Sequence, residues 1–399
     1  MEKVLVTGLG IISSIGLSID EHLLNLRSGR HGLSHAKNVK SKYADTFYFG
    51  EIKNTDADLK EILNIASAQS LSRTCLLALY AFKNAIHDAA WSEKEWQAKD
   101  TAFISSSTVG GMSNTDALYV DANAKLKPSP YVHSYHGAEH AQYIFDKYQM
   151  QGYFDVINTA CSSSANAILL ATQLIQLGKI KRAIVGGADA LAKFTINGFN
   201  ALQILSKEPC KPFDKNRNGL NLGEGAAYLI LEAKSEVKNK KTYTCITGYG
   251  NANDAYHLSS TSPSATGPIW AMQKALEAAN LKPEAIDYIN AHGTGTENND
   301  STELFALNHI FGEKPKPFNA TKSFTGHTLA AAGAMEAIFT ILSIKNQELF
   351  PSLRIDNALK LGDWRAISTR KENYQINHAL SNSFGFNGNG TSLIFSKCI

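Results

Sequence analysis

The sequence of 399 residues contains one order of predicted elements twice. Residues 7–10, Thr-Gly-Leu-Gly, end the first predicted strand, and residues 247–250, Thr-Gly-Tyr-Gly, end a later one. A helix with apolar side chains at helical spacing follows each of them, at residues 70–90 and 268–279. Each half closes with two apolar strands, at residues 183–187 and 225–232 and at residues 380–384 and 391–395. This repeat predicts a duplicated α/β unit.

The boundary between the two halves is expected in a lysine-rich segment. Four lysines lie close together there, namely Lys234, Lys238, Lys240 and Lys241. Such a charge run most simply forms a solvated connection. We therefore predict an N-terminal half of residues 1–240 and a C-terminal half of residues 241–399. If the halves pack about a pseudo-twofold axis, the equivalent helix starts at Cys161 and His327 converge on one shared site.

Cys161 lies where a predicted strand turns into a helix. Val156 and Ile157 suit the end of a buried strand, and small and apolar residues recur at helical spacing from Cys161 to Gly178. The unpaired N–H groups of a helix N-terminus favour negative charge, so we expect a lowered pKa for this thiol. The small neighbouring side chains would let a substrate reach the sulfur. The alternative is a buried structural cysteine, which is the more common role of a free cysteine.

Composition restricts the classes of function. The chain has 39 basic and 36 acidic residues and a net charge of +3, so nothing in the overall charge favours nucleic acid as a partner. Five cysteines without a C-x-x-C pair fit a reducing cytoplasm and argue against a disulfide framework. Because no apolar run reaches about 18 residues, we expect no transmembrane span. The G-x-G at residues 8–10 is a weak dinucleotide signal, since Ser13 replaces the third glycine.

Several histidines are candidates for a functional site. His292 follows a predicted strand at residues 286–289, and loops at strand ends often carry chemistry in α/β proteins. His133, His136 and His140 have helical spacing, but no acidic or cysteine ligand in the sequence completes a metal set. We interpret these three as an exposed or interface face, and no metal site is predicted.

Five separated motifs, spread over essentially the whole chain, resemble those of the β-ketoacyl-acyl-carrier-protein synthases of the thiolase-like superfamily. They are residues 159–161 (Thr-Ala-Cys), 212–219 with 223–226, 290–296 (Asn-Ala-His-Gly-Thr-Gly-Thr), 321–327 (Thr-Lys-Ser-Phe-Thr-Gly-His) and 382–386 (Asn-Ser-Phe-Gly-Phe). The resemblance implies a thiolase-like α/β fold with two duplicated βαβαβαββ halves in αβαβα layers. The Cys-His-His set resembles the elongating branch of the family. That branch joins an acyl group held on the cysteine to malonyl-acyl carrier protein, with loss of carbon dioxide, in fatty-acid or polyketide chain elongation.

The resemblance also assigns roles to individual residues. Cys161 would be the nucleophile, and His292 and His327 would stabilise the enolate left by decarboxylation. Lys322 would organise the histidines electrostatically. The remaining roles are an oxyanion hole from the backbone of Cys161 and Phe386, partners of Lys322 at Asp300, Glu303 and Glu336, pantetheine contacts at Thr294 and Thr296, and an acyl pocket lined by Phe199, Phe386 and Val109. No cofactor is implied, because the substrates are carried on the phosphopantetheine of acyl carrier protein.

The chain departs from the family pattern in three places. Asn387-Gly388-Asn389-Gly390 replaces Gly-Gly-Thr-Asn, Glu297 replaces a proline, and residues 121–151 match poorly. A specialised polyketide- or pigment-type pathway therefore stays open beside fatty-acid synthesis. Two other functions also stay open. One is a non-catalytic partner like a chain-length factor, which would lack the cysteine, and the other is a thiolase, which the second histidine disfavours.

The resemblance further implies protein partners. Acyl carrier protein is acidic, so it should dock on a basic rim of the site, for which Lys211, Lys215 and Arg217 are the candidates. The alternative is a solvated turn, because Asp214 lies among them. A homodimer is expected, with a heterodimer of related subunits as the alternative, and the strand before Cys161 would form the core of that interface.

Overall fold

The chain is built around one mixed β-sheet. The computed structural model describes residues 2–124, 129, 131–238 and 240–398. The elements of the first half are β1 (Val4–Ser13), α1 (Ile19–Ser28), α2 (Asp56–Leu63), α3 (Arg73–Asp88), α4 (Glu93–Trp96), β2 (Thr101–Ser106), α5 (Thr115–Ala124), α6 (Glu139–Lys147), β3 (Phe154–Ile157), α7 (Ser163–Gln176), β4 (Arg182–Asp189), α8 (Lys193–Ala201) and β5 (Gly225–Ala233). Those of the second half are β6 (Thr244–Asn253), α9 (Thr266–Ala279), β7 (Tyr288–Asn290), α10 (Glu297–Phe311), β8 (Phe318–Asn319), α11 (Lys322–Thr325), α12 (Ala332–Asn346), β9 (His378–Phe384) and β10 (Asn389–Ser396).

The strand order shows the duplication directly. In the described part of the chain, the sheet has the order β3-β2-β4-β5-β1-β6-β10-β9-β7-β8. β2 is parallel to β3 and β4, as β7 is to β8 and β9. β5 is antiparallel to β1 and β4, as β10 is to β6 and β9. The halves meet where β1 pairs with β6, with Leu5 opposite Cys245. Each half therefore has the predicted βαβαβαββ order, with further short helices inserted.

Helices cover both outer faces and fill the centre. α7 and α12 contact each other, and their side chains, such as Ile168 and Ile338, belong to one buried cluster with residues of both halves of the sheet. α3 covers the outer face of the first half through Phe82. α9 and α10 cover the outer face of the second half through Met272 and Leu307. The layers follow the order αβαβα, which confirms the predicted architecture.

The predicted boundary between the halves falls in the connection from β5 to β6. β5 ends at Ala233 and β6 begins at Thr244, on either side of residues 240 and 241. The halves nevertheless share the central cluster and a continuous sheet. The division at this point into two domains therefore stays a prediction.

The central helix α12 is mostly apolar and is buried on all sides. The stretch Leu329–Asn346 is long and apolar enough to cross a membrane by composition alone, but 89% of it is buried inside the protein. A helix of this kind belongs either to a membrane or to the core of a large protein. Its packing against α7 and the sheet accounts for its composition.

The strands β1 and β6 run through the G-x-G pairs at which the sequence predicted their ends. A Cβ at Gly10 would lie 2.0 Å from the carbonyl oxygen of Ala81 in α3, and one at Gly250 would lie 2.1 Å from that of Ala271 in α9. The glycines are needed because a helix backbone lies directly on the strand in both halves. This packing leaves no phosphate loop at residues 8–10, so the weak dinucleotide signal is explained by helix–strand contact.

We expect Gly10→Ala to destabilise the protein by roughly 1–3 kcal/mol, because its Cβ would overlap the backbone of α3. Urea denaturation measures this change. Gly198→Ala is the matched control, since Gly198 is exposed in α8 and nothing lies within 4 Å of its added Cβ. The control should be neutral or stabilising by up to about 1 kcal/mol. Equal effects of the two substitutions would contradict the close-packing explanation.

Candidate active site

Cys161 lies in the tight connection between β3 and α7. β3 ends at Ile157 and α7 begins at Ser163, so the cysteine precedes the first turn of the helix, close to its expected position. Ala160 has a φ of 55°, which is uncommon for a residue with a Cβ and marks a sharp turn. The Ser163 hydroxyl accepts the backbone N–H of Thr159 and closes that turn. Cys161 itself is buried, with 6% of its surface exposed.

The two histidines face the cysteine from the second half. His327 precedes α12. Its backbone N–H donates to the carbonyl of Asn221, and its carbonyl accepts the N–H of Gly223. His292 follows β7. The two imidazole rings are 5.3 Å apart and nearly perpendicular. One side-chain N or S atom of each of these histidines and of Cys161 lies within 4.8 Å of the others. The structure therefore brings the expected Cys-His-His set together.

The hydrogen bonds at Nδ1 decide the tautomer of both histidines. The Lys322 ammonium lies 3.1 Å from Nδ1 of His292 and can only donate, and the backbone N–H of Leu329 donates to Nδ1 of His327 at 3.2 Å. Both Nδ1 atoms are therefore acceptors, and in each neutral imidazole Nε2 carries the hydrogen. Such an Nε2 is a hydrogen-bond donor and has no lone pair for a metal ion. The two Nε2–H groups can therefore donate hydrogen bonds to an oxygen atom placed beside them.

Lys322 is the central charge of the site. Its ammonium donates to Nδ1 of His292, to the His292 carbonyl at 2.7 Å and to the carboxylate of Glu336. The residue is only 2% exposed. Burial and the Lys322 charge hold the pKa of His292 and of His327 well below the ordinary value, so both are neutral at physiological pH. Burial raises the pKa of Glu336 to about 7, and the Lys322 charge opposes this rise.

Two of the three acidic residues expected around Lys322 have another position. Glu303 accepts the backbone N–H groups of His292 and Gly293, at 2.8 and 2.9 Å. Asp300 accepts those of Phe213 and Gly295, at 2.8 and 3.1 Å. They fix the backbone of the histidine loop, and Glu336 is the member of this set that pairs with Lys322. The motif match alone could not distinguish a carboxylate that pairs with Lys322 from one that accepts backbone N–H groups.

Burial raises the pKa of the Cys161 thiol to about 11. The Lys322 charge and the backbone N–H of Phe386 oppose that rise, whereas the charges of Asp189 and Glu336 add to it. The expected lowering by the helix start is therefore outweighed by desolvation. In the free enzyme the thiol is protonated at neutral pH.

Phe386 and Phe199 lie beside Cys161. The backbone N–H of Phe386 contacts the Cys161 thiol, and a Cβ at Gly385 would lie 3.2 Å from the Cys161 nitrogen, so the two segments approach closely. The rings of Phe386 and Phe199 stack at 5.7 Å. Val109 is buried in an apolar cluster against which Phe199 packs. Phe199 and Phe386 line the cavity at the cysteine, and Val109 lies behind that surface.

A cavity of about 920 Å³ leads to the Cys-His-His cluster. Thr294 and Thr296 are among its lining residues, and their hydroxyls are 2.9 Å apart. The neighbouring lining side chains of Gln203, Asn218 and Thr302 are also polar. The lining of the cavity therefore combines hydrogen-bonding side chains with Cys161 and both histidines.

The three basic docking candidates differ from one another. Lys215 is exposed, and Lys211 forms an ion pair with Glu208 at 3.2 Å. The side chain of Arg217 is only 5% exposed. It donates to the carbonyls of Thr296, Asp214 and Glu297 and to the Ser301 hydroxyl. These hydrogen bonds leave the Arg217 side chain little free surface, so they disfavour a docking role, which stays a prediction.

Asn389 is a site residue that sequence reasoning did not single out. Its side-chain oxygen accepts the Ser162 hydroxyl at 2.7 Å and the side-chain amides of Asn166 and Asn251, each at 3.0 Å. These bonds tie the residue after Cys161 to the strand after Phe386. The departure of residues 387–390 from the family pattern was the feature of the sequence that could have indicated this role. Asn387 in the same loop has a φ of 64°, a backbone conformation that asparagine tolerates.

Asp189, at the end of β4, was likewise not singled out. Its buried carboxylate accepts the Ser107 hydroxyl, the backbone N–H groups of Thr108 and Val109, and that of Ala330. It thereby joins the loop after β2 to the turn that follows His327. A buried acid at a strand end was the only available signal.

The histidines at residues 133, 136 and 140 do not form one exposed face. His140 is buried and bonds to the Ser105 hydroxyl at 2.8 Å, which makes it a core residue. His136 is exposed, and the side chain of His133 lies outside the described residues.

The fold and site define a condensing enzyme of the thiolase-like class. The sequence model described as "Beta-ketoacyl synthase, N-terminal domain" matches residues 1–237, and that described as "Beta-ketoacyl synthase, C-terminal domain" matches residues 243–356. A 3-oxoacyl-acyl-carrier-protein synthase 2 of Staphylococcus aureus (strain COL) is 30% identical over 99% of this chain and 98% of its own length. The chain therefore belongs to the β-ketoacyl synthase family and is an acyltransferase of the 3-oxoacyl synthase type.

Solved structures agree with this assignment. One, described as the ishigamide ketosynthase/chain length factor, has a TM-score of 0.92 at 26% identity and covers 100% of both chains. Another, AntDE:AntF, is a type II polyketide synthase acyl-carrier protein in complex with its ketosynthase bound to the hexaketide. It has a TM-score of 0.87 at 25% identity, again with 100% of both chains covered. The predicted thiolase-like fold and the family resemblance are confirmed.

We expect the rate of Cys161 alkylation by iodoacetamide to increase with pH towards about 11, because only the thiolate reacts. Each pH unit below that value should change the rate about tenfold. Mass spectrometry of the free enzyme between about pH 6 and about pH 10 measures this, with Cys161→Ala giving the background. A rate that becomes constant near neutral pH would instead show the lowered pKa that the helix start alone predicts.

Proposed function

We propose that this site carries out decarboxylative Claisen condensation of an acyl thioester with malonyl-acyl carrier protein, giving 3-oxoacyl-acyl carrier protein. One observation carries the proposal. A buried thiol faces two neutral imidazoles whose Nε2 atoms are both held as donors. Such a pair stabilises negative charge on a carbonyl oxygen without giving up a proton.

The first step is acyl transfer to Cys161. The sulfur attacks the thioester carbonyl, and its proton ends on the departing pantetheine sulfur. The Lys322 charge, the Phe386 N–H and the start of α7 favour the transient thiolate. The tetrahedral oxyanion is bound by the backbone N–H groups of Cys161 and Phe386, which adjoin each other through the close approach at Gly385.

The second step is decarboxylation of the malonyl group. Its thioester carbonyl oxygen accepts both Nε2–H groups, from His292 and His327, and carbon dioxide leaves as the enolate forms. The enolate carbon then attacks the acyl-cysteine carbonyl, and collapse of the tetrahedral intermediate releases Cys161 as thiolate. Lys322 acts through the histidines, because its hydrogen bond fixes His292 and its charge keeps both rings neutral.

The substrates enter through the cavity. Thr294 and Thr296 would hydrogen-bond the pantetheine arm, and the stacked rings of Phe199 and Phe386 would separate the nucleophile from the acyl pocket. The reaction uses the side chains of this chain and the carrier-bound thioester, with no further cofactor. The complete Cys-His-His-Lys set favours a catalytic subunit over a partner of the chain-length-factor type. We place the enzyme in the cytoplasm, as its cysteine usage predicts.

We expect Cys161→Ala to abolish condensation, because it removes the nucleophile without changing the packing greatly. His327→Ala should lower malonyl decarboxylation by about 100- to 1,000-fold, since one donor to the enolate is lost. It should affect acylation of Cys161 much less. Mass spectrometry of the acyl-enzyme and release of labelled carbon dioxide measure the two steps. Absence of any adduct on Cys161 in the native chain would instead favour a non-catalytic partner subunit.

We further propose acyl carrier protein and a second ketosynthase-type subunit as partners. The solved relative AntDE:AntF pairs a ketosynthase with its carrier protein, and the ishigamide structure combines a ketosynthase with a chain length factor. β3 is the outermost strand on its side of the sheet and is only half-buried, so one edge is open for pairing. A homodimer through this edge is our proposal, and a heterodimer is the alternative. The AntDE:AntF structure, which is described as a type II polyketide synthase complex, favours a polyketide-type pathway.

We expect Lys215→Glu to raise KM for carrier-bound substrate about 2- to 10-fold, more strongly at low salt, and to leave small thioesters unaffected. The reason is that Lys215 is exposed beside the cavity wall and would meet an acidic carrier. Steady-state kinetics with both substrate types at two salt concentrations measures this. Lys179→Glu, an exposed position at the far end of α7, is the matched control.

Arg217→Ala should lower activity with carrier-bound and small thioesters alike, because Arg217 holds the backbone at Thr296 and Glu297. A loss confined to carrier-bound substrate would instead support the docking role of Arg217. If Lys215→Glu affected both substrate types equally, the carrier would dock elsewhere.

A further inference from the structure

Two cysteines that belong neither to the active-site cluster nor to the cavity lining lie together. Cys245 is in β6, and Cys398 lies just beyond the end of β10. Their sulfur atoms are 2.8 Å apart. That is less than 1 Å beyond the S–S bond length of about 2.05 Å. Both residues are half-buried, so small reagents can reach them from solvent.

The register of the sheet brings the two thiols together. Cys245 in β6 lies directly opposite Ser396 in β10. Cys398 follows Ser396 by two residues in the direction of β10. Side chains two residues apart share a face in an extended chain. Thr247 and Ser396 are related in the same way as Cys245 and Cys398, because Thr247 lies two residues beyond Cys245, the residue directly opposite Ser396. The hydroxyls of Thr247 and Ser396 are 2.6 Å apart. The cysteine pair therefore follows from the pairing of β6 with β10, continued two residues past the end of β10.

The surroundings of the pair favour thiolate chemistry. The hydrogen bond from Cys398 and the charges of Lys3 and Lys234 lower the pKa of Cys245 against the effect of burial. Cys75 and Cys210, by contrast, are fully buried, and burial raises the pKa of both thiols. Among the cysteines outside the active site, Cys245 is therefore the one whose thiolate form is favoured, and it has a second thiol in contact.

We propose that Cys245 and Cys398 form a reversible disulfide when the protein meets a hydroperoxide. The Cys245 thiolate attacks the peroxide, breaks its O–O bond and becomes a sulfenic acid, and the peroxide leaves as water or an alcohol. The Cys398 sulfur then attacks the sulfenic sulfur and expels water. Overall, two thiols lose two electrons and two protons, and hydrogen peroxide becomes two molecules of water. A dithiol reductant reverses the bond by exchange.

The bond would connect the first strand of the second half to the residues after its last strand. Cys245 and Cys398 are 153 positions apart, so the closed loop contains almost all of the second half. Closing a long loop restricts the unfolded chain far more than the folded one. Oxidation is therefore expected to raise the thermal midpoint by several degrees. No active-site group takes part in this change.

The test treats the purified full chain with hydrogen peroxide and maps its cysteines by peptide mass spectrometry. We expect one cross-linked peptide pair, Cys245 with Cys398, with loss of two hydrogen atoms and full recovery after reduction. Cys398→Ser should instead leave a sulfenic acid on Cys245 that dimedone traps. Cys161→Ala and Cys210→Ala are matched controls that keep the pair, and both should still form the bond.

Two results would overturn the proposal. One is a wild-type protein in which both thiols remain open to alkylation after peroxide treatment. The other is irreversible oxidation of Cys245 to the sulfinic acid without any cross-link. The thermal midpoint is an independent measure, because its rise on oxidation must disappear in both Cys245→Ser and Cys398→Ser.

Discussion

A single buried ammonium determines the state of the whole site. Lys322 uses its N–H groups on the ring and carbonyl of His292 and on Glu336, so the imidazole cannot turn or change tautomer. The same charge disfavours an imidazolium at His327. Burying a charge costs several kcal/mol unless it is paired and hydrogen-bonded, and Glu336 provides the pairing from the central helix. The electrostatics of the site therefore depend on α12 being in place.

The duplicated fold explains why Cys161 and the two histidines meet. Cys161 precedes α7 and His327 precedes α12, and these helices lie side by side between the two halves. Polar contacts across the same junction, from Asn389 to Ser162 and from Asp189 to Ala330, set the relative position of the segments. Because each half supplies only part of the site, neither half would hold the reacting groups by itself.

Sequence reasoning identified the three residues that the site brings together, Cys161, His292 and His327, and missed much of what holds them in place. Motifs report residue identity at a position, so Cys161 and both histidines could be predicted. The direction of the thiol pKa could not, because desolvation depends on packing that comes from distant residues. Arg217 and Glu303 show the same limit. From the sequence, a charged side chain is interpreted as an exposed or catalytic group, because its hydrogen bonds to the backbone are not visible there. The predicted ends of β1 and β6 came too early in the chain, because glycine occurs both in turns and where a helix packs closely on a strand.

The burial of α12 also has a consequence for how the chain folds during synthesis. This helix, residues 332–346, fills the space beside α7 and packs against β4 and β5 of the first half. The first half therefore emerges from the ribosome before the helix that covers part of β4 and β5 has been synthesised, so that part of its sheet and one side of α7 stay exposed. Native contacts of such large sequence separation form slowly and expose aggregation-prone surface in the interval. Folding yield in the cell should thus depend on chaperone capacity more than the stability of the finished protein suggests.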